Sequence, residues 1–440
     1  GVVMKQRFLI FVLPLLVFSL STQGNGQSIE LVTIWEQSVD VKTMRFSHDG
    51  EFLITGGASN VCQLYRCGNV KVSRVLDGEL LLTIEGWQIG NTNDIDISHD
   101  NQRIISAHGG VYCNAFTGCV RDRAGQYEHS LTGTQLYNDS NPDGIIYSIA
   151  FSPDNNIIAA GTGYNNSGHI NIYDSQYNLL RTLPGHSGNT TSLVFTPDGQ
   201  HLISGGTDGS IRVWNYLDGS MIKYLQHGTY LNGGNKTQLS VSTDGQYFSS
   251  TGDGYNLTIK IWKTSDWSVL HTFLVSDPYG SRSSAKFTPN GMYLAAAISY
   301  ISNQDRIHFY NIETGELVRE YLDTTANNTN QKGIRTLAFS SVENNSFAFS
   351  SAYGNSGKLK FVATDIDLVE EFVTPVELTS FNAAVLNNIV VLKWITSSEL
   401  NNSGFEIQKS QNHQMSSVQD WKVIGFVEGN GTTTETNHYF

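Results

Sequence analysis

"GGTDGSIRVWNYLDG", residues 205–219, sets two aspartates (Asp208, Asp218), a serine (Ser210) and a tryptophan (Trp214) among glycine-rich turns. His186 precedes it in "LPGHSGNTTSLVF" (183–195). Serine, histidine and aspartate together suit either nucleophilic catalysis or a buried hydrogen-bonded lock. A catalytic serine needs a strained, exposed turn beside an oxyanion hole. Ser210 instead follows Asp208 by two residues and opens the alternating run "SIRVWN", which reads as a strand. The structural reading is therefore preferred.

The stretch belongs to a repeat. A turn of the form "FSxDG" recurs as "FSHDG" at Phe46, "ISHDN" at Ile97, "FSPDN" at Phe151, "FTPDG" at Phe195, "VSTDG" at Val241 and "FTPNG" at Phe287, with a degenerate "FSSVENN" at Phe339. An apolar strand enters each turn, and the Asp-Gly or Asn-Gly pair suits a tight hairpin. A second strand of small and apolar residues follows ("HLISGG", "YLAAAIS", "NIIAAGT"). A third ends in an aromatic ("IRVWN", "IKIWK", "INIYD", "IHFYN"), and a fourth alternates ("MIKYLQ", "LVREYL", "LLRTLP"). One such unit cannot bury both of its faces, so seven of them predict an all-β fold, a seven-bladed β-propeller.

The match to the propeller grammar is carried by Gly185-His186 before a first strand, Ser204 in the second, Asp208 in the next turn and Trp214 closing the third. In these residues the chain resembles the WD-repeat (WD40) family over residues 29–372. Trp262 keeps the tryptophan, whereas Tyr173 and Tyr310 replace it. The resemblance implies that His186, Ser204, Asp208 and Trp214 form a structural tetrad: the aspartate accepts from backbone and histidine donors, and the indole N–H satisfies the serine oxygen. It also implies that the last blade borrows a strand. "IELVTIW" (29–35) and "DLVEEFV" (367–373) compete for that place.

After Thr374 the pattern changes. "PVELTSF", "LKWITSSELNNSGFEIQKS" and "IGFVEGNGTT", with Trp394 central, predict a partial β-sandwich of fibronectin/Ig-like type over 375–440. This segment resembles the fibronectin type III-like module that precedes the sorting tail in Bacteroidetes proteins exported by type IX secretion. It is read as truncated at Phe440, since a full sandwich takes roughly 100 residues. At the other end, Lys5 and Arg7 precede "FLIFVLPLLVFSL" (8–20), too short a run to span a bilayer. Residues 1–26 are thus expected to be a signal peptide, with Met4 as the start and Gly24 and Gly26 permitting cleavage. The mature protein is expected to be secreted or at the outer cell surface, with no membrane span after cleavage and as a monomer.

The net charge of −13 leaves no basic stripe for phosphates, so no nucleic-acid partner is expected. Export directs the four cysteines toward bridges. Cys62 and Cys67 lie in one looped insertion, Cys113 and Cys119 in another, and each pair is expected to form a local disulfide adding roughly 2 kcal/mol. A second register puts Cys113 and Cys119 across the third-to-fourth hairpin. Zinc is disfavoured because only His108 adds a ligand nearby; no metal site and no cofactor are expected.

Six of the seven second-to-third loops carry a tyrosine: Tyr65, Tyr112, Tyr164, Tyr255, Tyr300 and Tyr353. The loops entering the next blade add Trp87, Tyr230 and Tyr279. These aromatics either pack on neighbouring loops or form a rim for an unknown protein or glycan ligand. The expected function is a non-catalytic binding scaffold, with no catalytic residues assigned. The rival is a secreted propeller enzyme, a glycan-active hydrolase or lyase. That rival needs carboxylates on the first strands, whereas "VKTMRF", "IYSIAF", "TTSLVF" and "IRTLAF" are mainly apolar, small or hydroxylic.

Overall fold

The computed structural model describes residues 2–4, 29–30, 32–59, 67–85, 92–109, 111–114, 118–121, 124–130, 135–141, 145–163, 167–228, 237–252, 257–275, 281–300, 305–322, 331–340, 346–353, 356–364, 376–386, 389–410, 421–433 and 437–439. All their regular structure is β-strand.

The repeated turn explains the hairpins. In the 195–202 copy, Gly199 takes φ +67° and its N–H donates to the Thr196 carbonyl at 2.8 Å. The Thr196 hydroxyl donates to Asp198 Oδ1 at 2.5 Å, and the Gln200 N–H donates to the same oxygen at 3.0 Å. The aspartate thus closes the turn from inside while glycine supplies the left-handed backbone. Asn101 and Asn155 hold that conformation in their copies, with φ 57° and 61°. Their side-chain oxygens also accept the N–H of His48 and His99, each at 2.7 Å, which stitches each turn to the one before it.

Six antiparallel four-stranded sheets follow the order first, second, third, fourth strand, and they are blades of a β-propeller. Their inner strands are Val41–Phe46, Thr92–Ile97, Ile145–Phe151, Thr190–Phe195, Gln238–Val241 and Gln331–Phe339. A five-stranded sheet has the same order over Ser281–Phe287, Tyr293–Tyr300, Arg306–Asn311 and Leu317–Leu322, and adds Ile29–Glu30, parallel to Leu317–Leu322. It stands between the Gln238–Val241 and Gln331–Phe339 sheets, and each inner strand lies beside the next.

Neighbouring sheets cover both faces of a blade, so its middle strands read as unbroken apolar or small runs. Leu202–Gly206 is buried throughout, and Ala295, Ala296 and Ala297 are each 0% exposed. The core lies between blades: Ile170, Ile172 and Leu183 of one sheet pack on Leu193, Phe195 and Trp214 of the next. Burying one such large side chain is worth about 2–3 kcal/mol.

The competition for the borrowed strand is settled. Val32–Ser38 pairs antiparallel with Ser356–Ala363, with Trp35 opposite Phe361, and completes the sheet that starts at Gln331–Phe339. Trp35 stacks on Phe361 at 5.4 Å and donates its indole N–H to the Val75 carbonyl at 2.8 Å. Of the expected stretch 29–35, Ile29–Glu30 belongs instead to the adjacent five-stranded sheet; 367–373 lies outside the described residues.

Residues 27–369 form one compact unit, and residues 1–26 with 370–440 form a second. The second unit contains one five-stranded antiparallel sheet built on Ile389–Ser410. In it Trp394 pairs opposite Phe381 and Tyr439, and Val2–Met4 pairs with residues 407–409. Among the described residues no helix is long and apolar enough to cross a membrane.

Candidate functional site

His186 ends the outer strand Leu179–His186 of one blade and reaches into the next. There its Nε2 lies 2.9 Å from Ser204 Oγ, which also accepts the Trp214 indole N–H at 2.9 Å. Its Nδ1 lies 3.1 Å from Asp208 Oδ1. A single proton placement satisfies the chain: Trp214 donates to Ser204, the Ser204 hydroxyl donates to Nε2, and Nδ1–H donates to Asp208. Asp208 accepts four further bonds, from the Ser187 N–H at 2.9 Å and hydroxyl at 3.4 Å and from the Ser210 N–H at 3.1 Å and hydroxyl at 2.8 Å.

Burial alone would raise the Asp208 carboxyl, but the hydrogen bond and charge of His186 and the Ser210 donors hold it far below the usual carboxylate range. Its side chain is 11% exposed and that of His186 is 1%. The Ser210 hydroxyl donates to a carboxylate, and the Ser204 oxygen is occupied by two partners. Neither serine has the free, aimed oxygen that a nucleophile needs. Gly206 is part of this set in a way its sequence context, a glycine pair before a turn, does not reveal. A Cβ there would lie 2.4 Å from His186 Nδ1 and 2.7 Å from Asp208 Oδ1, so only glycine admits the histidine.

A second set that the sequence reading missed lies one blade on. His227 follows the outer strand Ser220–Gln226, with Nδ1 2.7 Å from Ser250 Oγ, and the Trp262 N–H donates to that oxygen at 2.8 Å. Its Nε2 meets Thr258 Oγ1 at 3.2 Å. Burial, helped by the nearby Lys260 charge, pushes His227 down to about 4. Its signal was "QHG" (226–228), set where "PGH" (184–186) stands in the preceding unit, but offset in spacing from the first strand.

The inner strands hold a charged set that the apolar first strands did not foretell. Asp94 and Asp96 alternate along Thr92–Ile97, and the Arg45 guanidinium spans them, Nη2 3.5 Å from Asp94 Oδ1 and Nε 3.7 Å from Asp96 Oδ1. The carboxylates also accept the N–H of Ile149 at 3.2 Å and of Phe151 at 2.8 Å, on the next inner strand. They therefore cap the unpaired edge of that strand. Ser192 does the same for the Leu239 N–H at 3.1 Å. Burial raises both aspartates, with Arg45 opposing. The legible signal was "TNDIDI", whose two aspartates share a face once the segment is taken as a strand.

Other expected sites fall at the border of the description. Cys113 stands opposite Cys119 in a two-stranded ladder, Val111–Asn114 with Gly118–Arg121, inserted between the second and third strands of its blade. Cys67 begins the strand Cys67–Arg74; Cys62 and the side chains of all four cysteines lie outside the described residues. Tyr112, Tyr300 and Tyr353 have backbone on strands, opposite Val120, Ser281 and Gln331 respectively. Their side chains, and Tyr65, Tyr164, Tyr255, Trp87, Tyr230 and Tyr279, lie outside the description. Among the described residues no group of three His, Cys, Asp or Glu side chains is placed to hold a metal ion.

Comparison with known proteins adds three matches to the family model "WD domain, G-beta repeat", over residues 30–66, 131–174 and 177–215. The chain is 24% identical over 260 residues to a guanine nucleotide-binding protein subunit beta of Arabidopsis thaliana, covering 57% of this chain and 63% of that one. It is 25% identical over 185 residues to Protein hir1 of Schizosaccharomyces pombe, covering 37% and 19%. It is 26% identical over 172 residues to Pre-mRNA-processing factor 19 of Bos taurus, covering 38% and 31%. The chain thus spans less than two thirds of the length of these relatives.

Proposed function

We propose that this protein is a WD-repeat propeller of seven blades, the five-stranded sheet being the seventh, that serves as a non-catalytic protein-binding scaffold. The observation that carries the reading is the closed hydrogen-bond set at His186, Ser204, Asp208 and Trp214. A Ser/His/Asp constellation that resembles an active site is consumed in joining two blades. The matches to the G-beta repeat model and to three WD-type relatives support the same reading. The carboxylates that the rival enzyme requires do occur on an inner strand, but they are occupied by main-chain N–H groups and Arg45.

The finer reading places the protein outside the cell. The apolar leader at 8–20 directs export, and the 375–440 segment is a fibronectin-type module of the kind that precedes a type IX sorting tail. In that compartment Cys62–Cys67 and Cys113–Cys119 form local bridges, and the tyrosine-bearing loops form the docking rim, with a protein preferred over a glycan. The test is a paired measurement on the full chain. Tyr164→Ala/Tyr255→Ala is expected to keep the wild-type melting temperature while cross-linking to an extracellular partner falls at least tenfold. Turnover of a glycan by the wild-type protein, or undiminished cross-linking in the variant, would overturn the reading.

A further inference from the structure

The groove between the outer strands Leu179–His186 and Ser220–Gln226 holds two guanidinium groups that the blade junction leaves with donors to spare. Among the described residues, each of these strands pairs only with the third strand of its own sheet, so both are open edges. Arg212, on the third strand Ser210–Asn215, lies against the first of them: a Cβ on Gly185 would stand 2.2 Å from its Nη1. Its Cζ lies 5.6 Å from the centre of the Tyr224 ring, on the second. Arg181 reaches across from the opposite wall, since a Cβ on Gly219, in the turn before Ser220–Gln226, would stand 3.2 Å from its Nη1. Gly185 lies four residues along the strand from Arg181, so the two guanidinium groups are anchored about 13 Å apart.

Neither group is satisfied by a carboxylate. Among the described residues Arg212 makes no hydrogen bond. Its Nε is buried without a partner, and its Nη2 stays 3.9 Å from Asp208, whose oxygens are taken by His186, Ser187 and Ser210. Arg181 makes neither a hydrogen bond nor an ion pair there. Asp218, in the facing turn, accepts instead from the Ser220 N–H at 2.7 Å and the Asn215 amide at 2.8 Å. The sheet that carries Arg306 shows what is missing. There the cross-strand partner of His308 is Glu320, which meets His308 Nε2 at 2.8 Å and accepts from Arg306 Nη1 at 2.8 and 2.9 Å. At the matching place Arg212 faces Tyr224, so its own sheet supplies no acceptor. Neither outer strand of the groove contains an acidic residue. Their exposed side chains are apolar or aromatic, with Leu179, Ile222 and Tyr224 at 56%, 43% and 52%. A guanidinium binds carboxylate by charge-assisted hydrogen bonds, more strongly than it binds a neutral acceptor.

We propose that this groove binds an extended peptide segment of a partner protein, with two acidic side chains four residues apart, one on Arg181 and one on Arg212. Apolar residues between them lie against Leu179, Ile222 and Tyr224. In an extended chain residues i and i+4 share one face about 13 Å apart, the separation at which the arginines are anchored. A segment of similar character already lies on another outer strand of the ring, Ile29–Glu30 beside Leu317–Leu322. The groove uses none of the tyrosine-bearing loops, so it stands or falls apart from the rim.

The experiment uses the full chain and a fluorescein-labelled synthetic peptide, glutamate-valine-threonine-valine-glutamate flanked by serines, with binding read by fluorescence anisotropy at low salt. Saturable binding to the wild type is expected, about tenfold weaker for Arg181→Met and for Arg212→Met. Arg212 packs on Gly185, so if Arg212→Met melts early the half-buried Arg181 gives the deciding variant. Lys223→Met, at the place in the next groove that matches Arg181, should bind like the wild type, as should Tyr164→Ala/Tyr255→Ala. The same peptide with glutamines for glutamates should not saturate. A wild type that does not bind the glutamate peptide, equal binding of the glutamine peptide, or full-strength binding by Arg181→Met would overturn the proposal. Equal weakening by Lys223→Met would reduce the effect to general charge and overturn it too. Free glutamate that competes as well as the peptide would refute recognition of an extended segment.

Discussion

The two neighbouring histidine sets use one framework with different electrostatics. In both, a histidine at the end of an outer strand meets a second-strand serine that also accepts a third-strand indole N–H. In the first set Asp208 takes the other imidazole nitrogen, together with the Ser187 N–H beside that histidine and the N–H and hydroxyl of Ser210 in its own loop. In the second that nitrogen meets the Thr258 hydroxyl, and Lys260 stands where Arg212 stands in the first. The carboxylate makes the first histidine a donor in an anionic network; burial and a nearby cation keep the second neutral. The sequence motif is the same kind of lock, but its charge state follows from one partner.

The largest expected effect is at that partner. Asp208→Ala strands the His186 proton and two loop N–H groups, and should cost about 3 kcal/mol of stability, read as a lower urea midpoint with unchanged slope. No loss would mean that the two sets are equivalent and the carboxylate is dispensable. Gly206→Ala pushes a methyl into the same histidine and should cost about 1–3 kcal/mol.

Trp214→Phe and Trp262→Phe should each cost about 1–2 kcal/mol. Unequal losses would show that the shared indole–serine bond does not act alike in the two blades.

The pH response separates the sets next. His227 binds fewer protons folded than unfolded between pH 6.5 and about 4, so its contribution is present above pH 6.5 and is lost as pH falls through that window. His227→Gln should flatten the wild-type decline there, measured by urea unfolding at half-unit steps. A decline that persists unchanged assigns the acid sensitivity elsewhere. Asp208 acts at lower pH: its folded carboxyl is depressed, so its contribution exists above the unfolded value of 3.8 and fades below it.

The smallest effect is at Lys260. Lys260→Met removes a charge that disfavours the imidazolium and should raise the His227 titration by a few tenths of a unit, seen in its ring proton shifts. A downward movement would contradict the electrostatic account.

Much of this was legible beforehand because local chemistry imposes it. The six intact turns announce themselves through an aspartate or asparagine that closes the hairpin and a glycine or asparagine that accepts positive φ. The apolar second strands follow from burial on two faces. His186, Ser204, Asp208 and Trp214 could be grouped because the fourth unit keeps the full spacing. His227 escaped since its spacing to the first strand differs, and Gly206 escaped since its neighbour His186 arrives from another blade. The inner-strand charges were not legible because most first strands are apolar, small or hydroxylic, and no pattern shared by the units marks "TNDIDI" and "SRSSAKF" as exceptions.

By itself, then, the sequence determined the unit: four short strands, a closed turn and a buried aromatic, each set by residues a few positions apart. Tertiary structure alone decided which N-terminal residues complete the last sheet, since Val32–Ser38 and Ser356–Ala363 meet across more than three hundred residues of chain. It also decided what the charged inner residues do. Arg45 and Asp94 come from separate units, and only ring geometry sets the guanidinium beside the carboxylate that caps the next inner strand. Hydrogen bonding within a turn is written in neighbouring residues; pairing across blades depends on distances that no local pattern encodes.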